Sequence, residues 1–130
     1  MQAEKGQAAI YCRVASKDDW AIERQLETMR NFAADKGYTD CAEYSDNGES
    51  GHTLNRPALS RLNADMSAGK IQTVLVMDTS RIGRGIALIV TWLEMAKALG
   101  VEVTSLNGDI NGSETLYTIL KEISKQSKAN

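Results

Sequence analysis

Residues 72–79, QTVLVMDT, are apolar almost without a break at their centre. A strand with one wet face alternates apolar and polar residues, so this run predicts a strand covered on both faces, the environment of a parallel sheet. Strand patterns recur at AAIYCRV (8–14), TDCAEYSD (39–46) and VEVTSL (101–106). Helical spacing fills the intervals. Over 19–36, Ile22, Leu26, Met29 and Ala33 share one face and Gly37 supplies a stop. Asn55 is expected to cap a second helix, with Pro57 in its first turn, Leu59, Leu62 and Met66 inward, and an end near Gly69. A third runs over 86–99 with Ile86, Ile89, Val90, Leu93 and Ala96 inward, closed by Gly100. Ser113 is expected to cap a last helix bearing the stripe Leu116, Ile119, Leu120 and Ile123. The alternation predicts an α/β fold: an open, mostly parallel sheet of four to five strands, right-handed crossovers and helices on both faces.

Bulk properties narrow the function. A chain of 130 residues, 42% hydrophobic with one proline, reads as one domain over 1–130 that folds without a disulfide. Cys12 and Cys41 lack CxxC spacing and read as small apolar residues of a reducing compartment. A single histidine, His52, supplies no metal cluster. The apolar segments are too short to span a membrane, and the first seven residues lack a secretory core, so a cytoplasmic location is expected. A net charge of −2 argues against a stand-alone high-affinity DNA binder. Any nucleic-acid role must use a local cationic cluster or another domain.

Such a cluster is available. In open parallel sheets, ligands gather beyond the C-terminal ends of the strands. There the chain carries Arg13 and Ser16, then Asp46 and Arg56, then Asp78, Ser80, Arg81 and Arg84. Arg81 and Arg84 are three apart, so one helical turn would aim both the same way. Guanidinium groups hold phosphate oxygens bidentately and keep their proton. A serine attacking a phosphodiester would form a phosphoserine and split one transfer into two steps. The same arginines would serve equally as solvated surface charges. The glycines of NGESG fit no phosphate-loop template.

YCRVASKDD, YSDNGESGHTLNRPAL and VLVMDTSRIGR together resemble the catalytic domain of serine site-specific recombinases, the resolvase–invertase family with its large transposon-borne members. The resemblance covers about residues 8–125. It implies DNA breakage and rejoining through a 5′-phosphoserine link, without cofactor, by dimers that assemble into a tetramer. It implies Ser16 as nucleophile, with Arg13, Arg56, Arg81 and Arg84 around the phosphate and Asp46, Gln25 and Ser80 in support. The family's first block usually reads Y-x-R-[VL]-S; here Ala15 intervenes. A gapless match would place Ala15 on the nucleophile and leave a non-catalytic binding or oligomerisation module. One inserted residue places Ser16 there, and the continuation S-K-D-D resembles the Gram-positive mobile-element branch. The family's aspartate before its third-block arginine is Ser80 here, which leaves proton transfer open, with Asp78 the nearest carboxylate in sequence. The resemblance also implies that the last helix contacts another subunit and leads to a DNA-binding domain.

Overall fold

The structure, a computed structural model, describes residues 7–108 and 110. The expected last helix lies outside these residues. The chain runs β1 (Ala8–Val14), α1 (Asp19–Asp35), β2 (Ala42–Asn47), α2 (Pro57–Ser67), β3 (Thr73–Val76), a 3-10 turn (Thr79–Arg81), α3 (Ile86–Ala98) and β4 (Glu102–Ser105). Four parallel strands form one sheet in the order β2-β1-β3-β4.

Side chains of a strand alternate between faces, and that alternation divides the core. Ile10, Cys12 and Leu75 meet Ile22, Leu26, Met29 and Ala33 of α1 on one face. Ala9, Tyr11, Val74 and Val76 meet α2 and α3 on the other, through Leu59, Leu62, Met66, Trp92, Leu93 and Ala96. β1 and β3 are thus covered on both sides, which is why their sequences run apolar without alternation. The chain leaves β1 toward one edge and returns at β3 toward the other. The crevice where that direction reverses lies beyond Val14 and Val76, and it is where ligands of such sheets bind.

Several element ends differ from expectation. β2 starts at Ala42, not Thr39, because the chain after α1 turns through Gly37 (φ 88°) and Asp40 (φ 55°). Cys41 therefore lies outside the strand and is half-buried, whereas Cys12 is fully buried. β3 ends at Val76 because Asp78 caps the 3-10 turn, its carboxylate accepting from Ser80 N at 3.0 Å. Ile86 is only half-buried. Trp92 instead anchors α3, buried to 1% exposure, with its indole N–H donating to Asn63 of α2 at 2.8 Å.

Burial pushes the Cys12 thiol up to about 12, and burial with a hydrogen bond to Asp65 pushes Tyr44 up to about 12. Folding holds these groups neutral, so their contribution is present below their unfolded values near 9 and 10 and is lost as pH rises toward 12. Unfolding free energy is expected to fall between pH 9 and 12, by up to about 1.4 kcal/mol per pH unit for each group. Urea titrations across that window check this, and Cys12→Ala is expected to flatten the slope.

Candidate active site

Arg13, next to last in β1, is buried to 5% exposure, an unusual place for a guanidinium. Each of its nitrogens has a carbonyl to meet. Nε donates to Arg81 O at 3.0 Å, Nη1 to Glu49 O at 2.9 Å and Nη2 to Ser80 O at 2.7 Å. One side chain thereby ties the loop after β2 and the turn after β3 to the end of β1. Arg81 returns the contact, its Nη1 donating to Arg13 O at 3.0 Å. Gln25 of α1 acts as a surrogate strand beside the same residue: its Oε1 accepts from Arg13 N at 3.0 Å and its Nε2 donates to Arg13 O at 3.2 Å. That pairing explains why a polar residue is buried on the apolar face of α1.

Arg56 is buried to 1% and also points inward. Its Nη1 donates to Arg81 O at 3.1 Å, its Nη2 donates to Ile82 O, and its guanidinium carbon lies 5.7 Å from the centroid of the Tyr11 ring. Arg56, rather than the expected Asn55, occupies the N-cap position of α2 and contributes no side-chain cap. The first-turn donors of α2 are satisfied from another element. Asp46 accepts from Ala58 N at 2.8 Å and from Leu59 N at 3.0 Å, and takes a third bond from Tyr11 Oη at 2.6 Å. A strand carboxylate thus does what an N-cap side chain normally does. Burial, then this bond, raises the Tyr11 hydroxyl above its ordinary value.

Arg81 is half-buried and Arg84 exposed. They do not share a helical turn, since the 3-10 turn covers only Thr79–Arg81. What brings Arg84 to the cluster is Gly51, whose carbonyl accepts from Arg84 N at 2.7 Å. A Cβ on Gly51 would come within 2.5 Å of Arg84 Cγ and 2.8 Å of Arg13 Nη2. The loop NGESG is therefore a close-approach segment between two arginines. Gly51→Ala is expected to destabilise the fold by about 1–2 kcal/mol, because Arg13 is held by three bonds and cannot swing aside. A lower urea midpoint at constant slope would show this.

Burial, followed by the like charges of Arg56, Arg81 and Arg84, pulls the Arg13 guanidinium below its ordinary value. Asp78 offsets part of that charge, with Oδ2 3.6 Å from Arg81 Nε, and it also accepts the Ser80 hydroxyl. Among the described residues, the buried Nε atoms of Arg56 and Arg81 have no hydrogen-bond partner.

Ala15 and Ser16 are both exposed in the loop joining β1 to α1. The sequence reading missed how that loop is braced. Asn47, closing β2, accepts from Asp18 N at 2.8 Å and donates to Asp19 at 2.8 Å. Val14 O accepts from Gly48 N at 2.9 Å, and Gly48 lies against Lys17. The four arginines thus gather beyond the C-terminal end of the sheet, Arg13 and Arg56 buried, Arg81 half-buried and Arg84 exposed, with the Ser16 loop leaving the same strand end as Arg13.

Comparison with known proteins agrees with this architecture. The family description "Resolvase, N terminal domain" matches residues 8–129. A putative DNA recombinase of Bacillus subtilis (strain 168) is 39% identical over 80 residues, 58% of this chain, and the match spans only 15% of that protein's length. The N-terminal catalytic domain of TP901-1 integrase superposes with a TM-score of 0.86 at 27% identity, covering 95% of this chain and 97% of that one. A resolvase family site-specific recombinase from Streptococcus pneumoniae gives 0.82 at 25% identity, covering 96% and 89%. The C-terminal catalytic domain of ISC1926 TnpA, an IS607-like serine recombinase, gives 0.71 at 28%, covering 91% and 79%. A family match over nearly the whole chain, together with a sheet whose C-terminal edge collects the expected arginines, places this protein in the resolvase family.

Proposed function

We propose that this chain is the catalytic domain of a site-specific DNA recombinase. The supporting observation is the convergence of Arg13, Arg56, Arg81 and Arg84 at the strand end from which the Ser16 loop departs. Arg81 and Arg84, the less buried pair, hold the non-bridging oxygens of a DNA phosphate. Arg13 and Arg56, spent on backbone carbonyls, fix the two loops and add fixed positive potential from behind. Charge stabilisation of this kind is the largest demand of phosphoryl transfer.

The chemistry runs in two balanced steps. Ser16 Oγ attacks phosphorus and loses its proton to a base as the bond from phosphorus to the 3′ oxygen breaks. That oxygen takes up a proton and leaves as a 3′-hydroxyl, while the 5′ end remains on the serine. In the second step a 3′-hydroxyl of the exchanged strand attacks the phosphoserine and Ser16 regains its proton. Asp78, already bonded to the Ser80 hydroxyl beside Arg81, is our candidate for the proton acceptor. The arginines supply the charge, so adduct formation is expected to persist in chelator.

DNA and further copies of this chain are the partners in this reading. The mild acidity of the chain implies that another domain reads the DNA site. Free Cys12 and Cys41 suit a reducing cytoplasm. Among the described residues no helix is long and apolar enough to cross a membrane. The test joins this chain to a DNA-binding domain and supplies paired sites. A denaturant-resistant protein–DNA adduct with a free 3′-hydroxyl is expected. Cleaved DNA with no protein attached would overturn the reading.

A further inference from the structure

Trp20 is exposed to 69%, more than any other large apolar side chain described. It stands at the second position of α1, and Arg24, one turn on, lies with its guanidinium carbon 4.8 Å from the ring centroid. The pair lines an open groove of about 400 Å³ shared with Val14, Met77 and Arg81. That size is within the range of pockets that take nucleotide-sized ligands. Among the described residues, two guanidinium groups and no carboxylate line it. The acids of α1 flanking Trp20 are already matched, Asp19 by Lys17 at 2.9 Å and Glu23 by Arg30 at 3.1 Å. Arg81 belongs both to this groove and to the arginine cluster.

We infer that the groove receives an unstacked nucleobase next to the phosphate held by Arg81 and Arg84, with the base lying on the Trp20–Arg24 platform. This rests on the phosphodiester reading above. Every base offers a π-face, so aromatic stacking of this kind tolerates any sequence. A second copy of the chain laid over the same groove would have to cover Arg24 and Arg81, which is costly without counter-charges. A nucleotide brings its counter-charge with it. The arrangement would orient the strand about its phosphate, a task the arginines alone cannot perform.

The test titrates the chain, at low salt, with a short oligothymidylate and with an abasic deoxyribose-phosphate chain of the same length. Trp20 emission is expected to report stacking, because Trp92 is buried to 1% and out of reach of the probe. The oligothymidylate is expected to quench Trp20 and to bind about tenfold more tightly than the abasic chain. Trp20→Ala is expected to abolish that preference and Trp20→Phe to keep part of it. Arg84→Ala is expected to weaken both probes alike. Equal binding of the two probes, still sensitive to Arg84→Ala, would overturn the platform and leave the phosphate site standing. Absence of binding by either probe would overturn both. A blue shift of Trp20 emission that grows with protein concentration, without DNA, would assign the groove to a subunit contact instead.

Discussion

Asp46→Ala will lower the unfolding free energy by about 3 kcal/mol and the melting temperature by about 10 °C. The carboxylate is 2% exposed and accepts three bonds, from Tyr11 Oη and from the N–H groups of Ala58 and Leu59. A hydrogen bond to a charged group is worth about 1.5–3 kcal/mol, and removing one acceptor here strands three buried donors together. The sum is not reached, because the variant also escapes the cost of burying a charge. Tyr11→Phe removes only one of the three donors, so about 1 kcal/mol is expected. Urea unfolding measures both. The damage will extend to the site, since Arg56 immediately precedes Pro57 and depends on α2 being seated. A loss below about 1 kcal/mol for Asp46→Ala would show that α2 does not need this remote cap.

Ser16→Ala is expected to behave in the opposite way. The residue is exposed, so stability should stay within about 0.5 kcal/mol of the parent. Adduct formation and strand exchange should fall by at least about 10⁴-fold, as for loss of a covalent nucleophile. The neighbouring alanine provides a sharper control. In the Ser16→Ala background, Ala15→Ser moves a hydroxyl one residue toward Val14. Recovery of adduct would assign the nucleophile to position 15 and identify the chain as one that has lost its native chemistry. Continued inactivity is expected, because Ala15 and Ser16 lie in a bend after β1, where a shift of one residue re-aims the hydroxyl.

The two variants separate what the sequence made legible from what it did not. The sheet was readable because TVLV of β3 and AIYC of β1 have no polar alternation, and only a strand covered on both faces tolerates that. The helices were readable from the spacing of residues such as Ile22, Leu26 and Met29. The arginines were readable as a set, since each lies at or beyond the C-terminal end of a strand. Their division of labour was not. Burial of Arg13 and Arg56 runs against the general rule that such residues stay wet, and it is made tolerable by carbonyls of Glu49, Ser80, Arg81 and Ile82 that no local pattern announces. Asp46 as the cap of α2 lies 12 residues from Ala58, beyond any capping motif. Gly51, in a loop that matches no phosphate-loop template, is where two arginine side chains pass the backbone.

The roles of the residues follow a common physical logic. Buried cations hold the loops, and exposed ones meet the ligand. A guanidinium whose three nitrogens each donate to a backbone carbonyl, as in Arg13, cannot also wrap a phosphate without releasing a loop. Arg81 commits one nitrogen to a carbonyl, that of Arg13, and sets a second against the Met77 sulfur, and Arg84 is exposed; the hydroxyl loop is braced separately through Asn47 and Gly48.

The most direct test of the whole account is the identity of the residue that carries the DNA. Tryptic digestion of the trapped adduct, followed by nuclease trimming and tandem mass spectrometry, locates the phosphate. The expected result is a nucleotide on the peptide Val14–Lys17, attached at Ser16. A nucleotide found on Ser50, Ser80 or any other side chain would contradict the account.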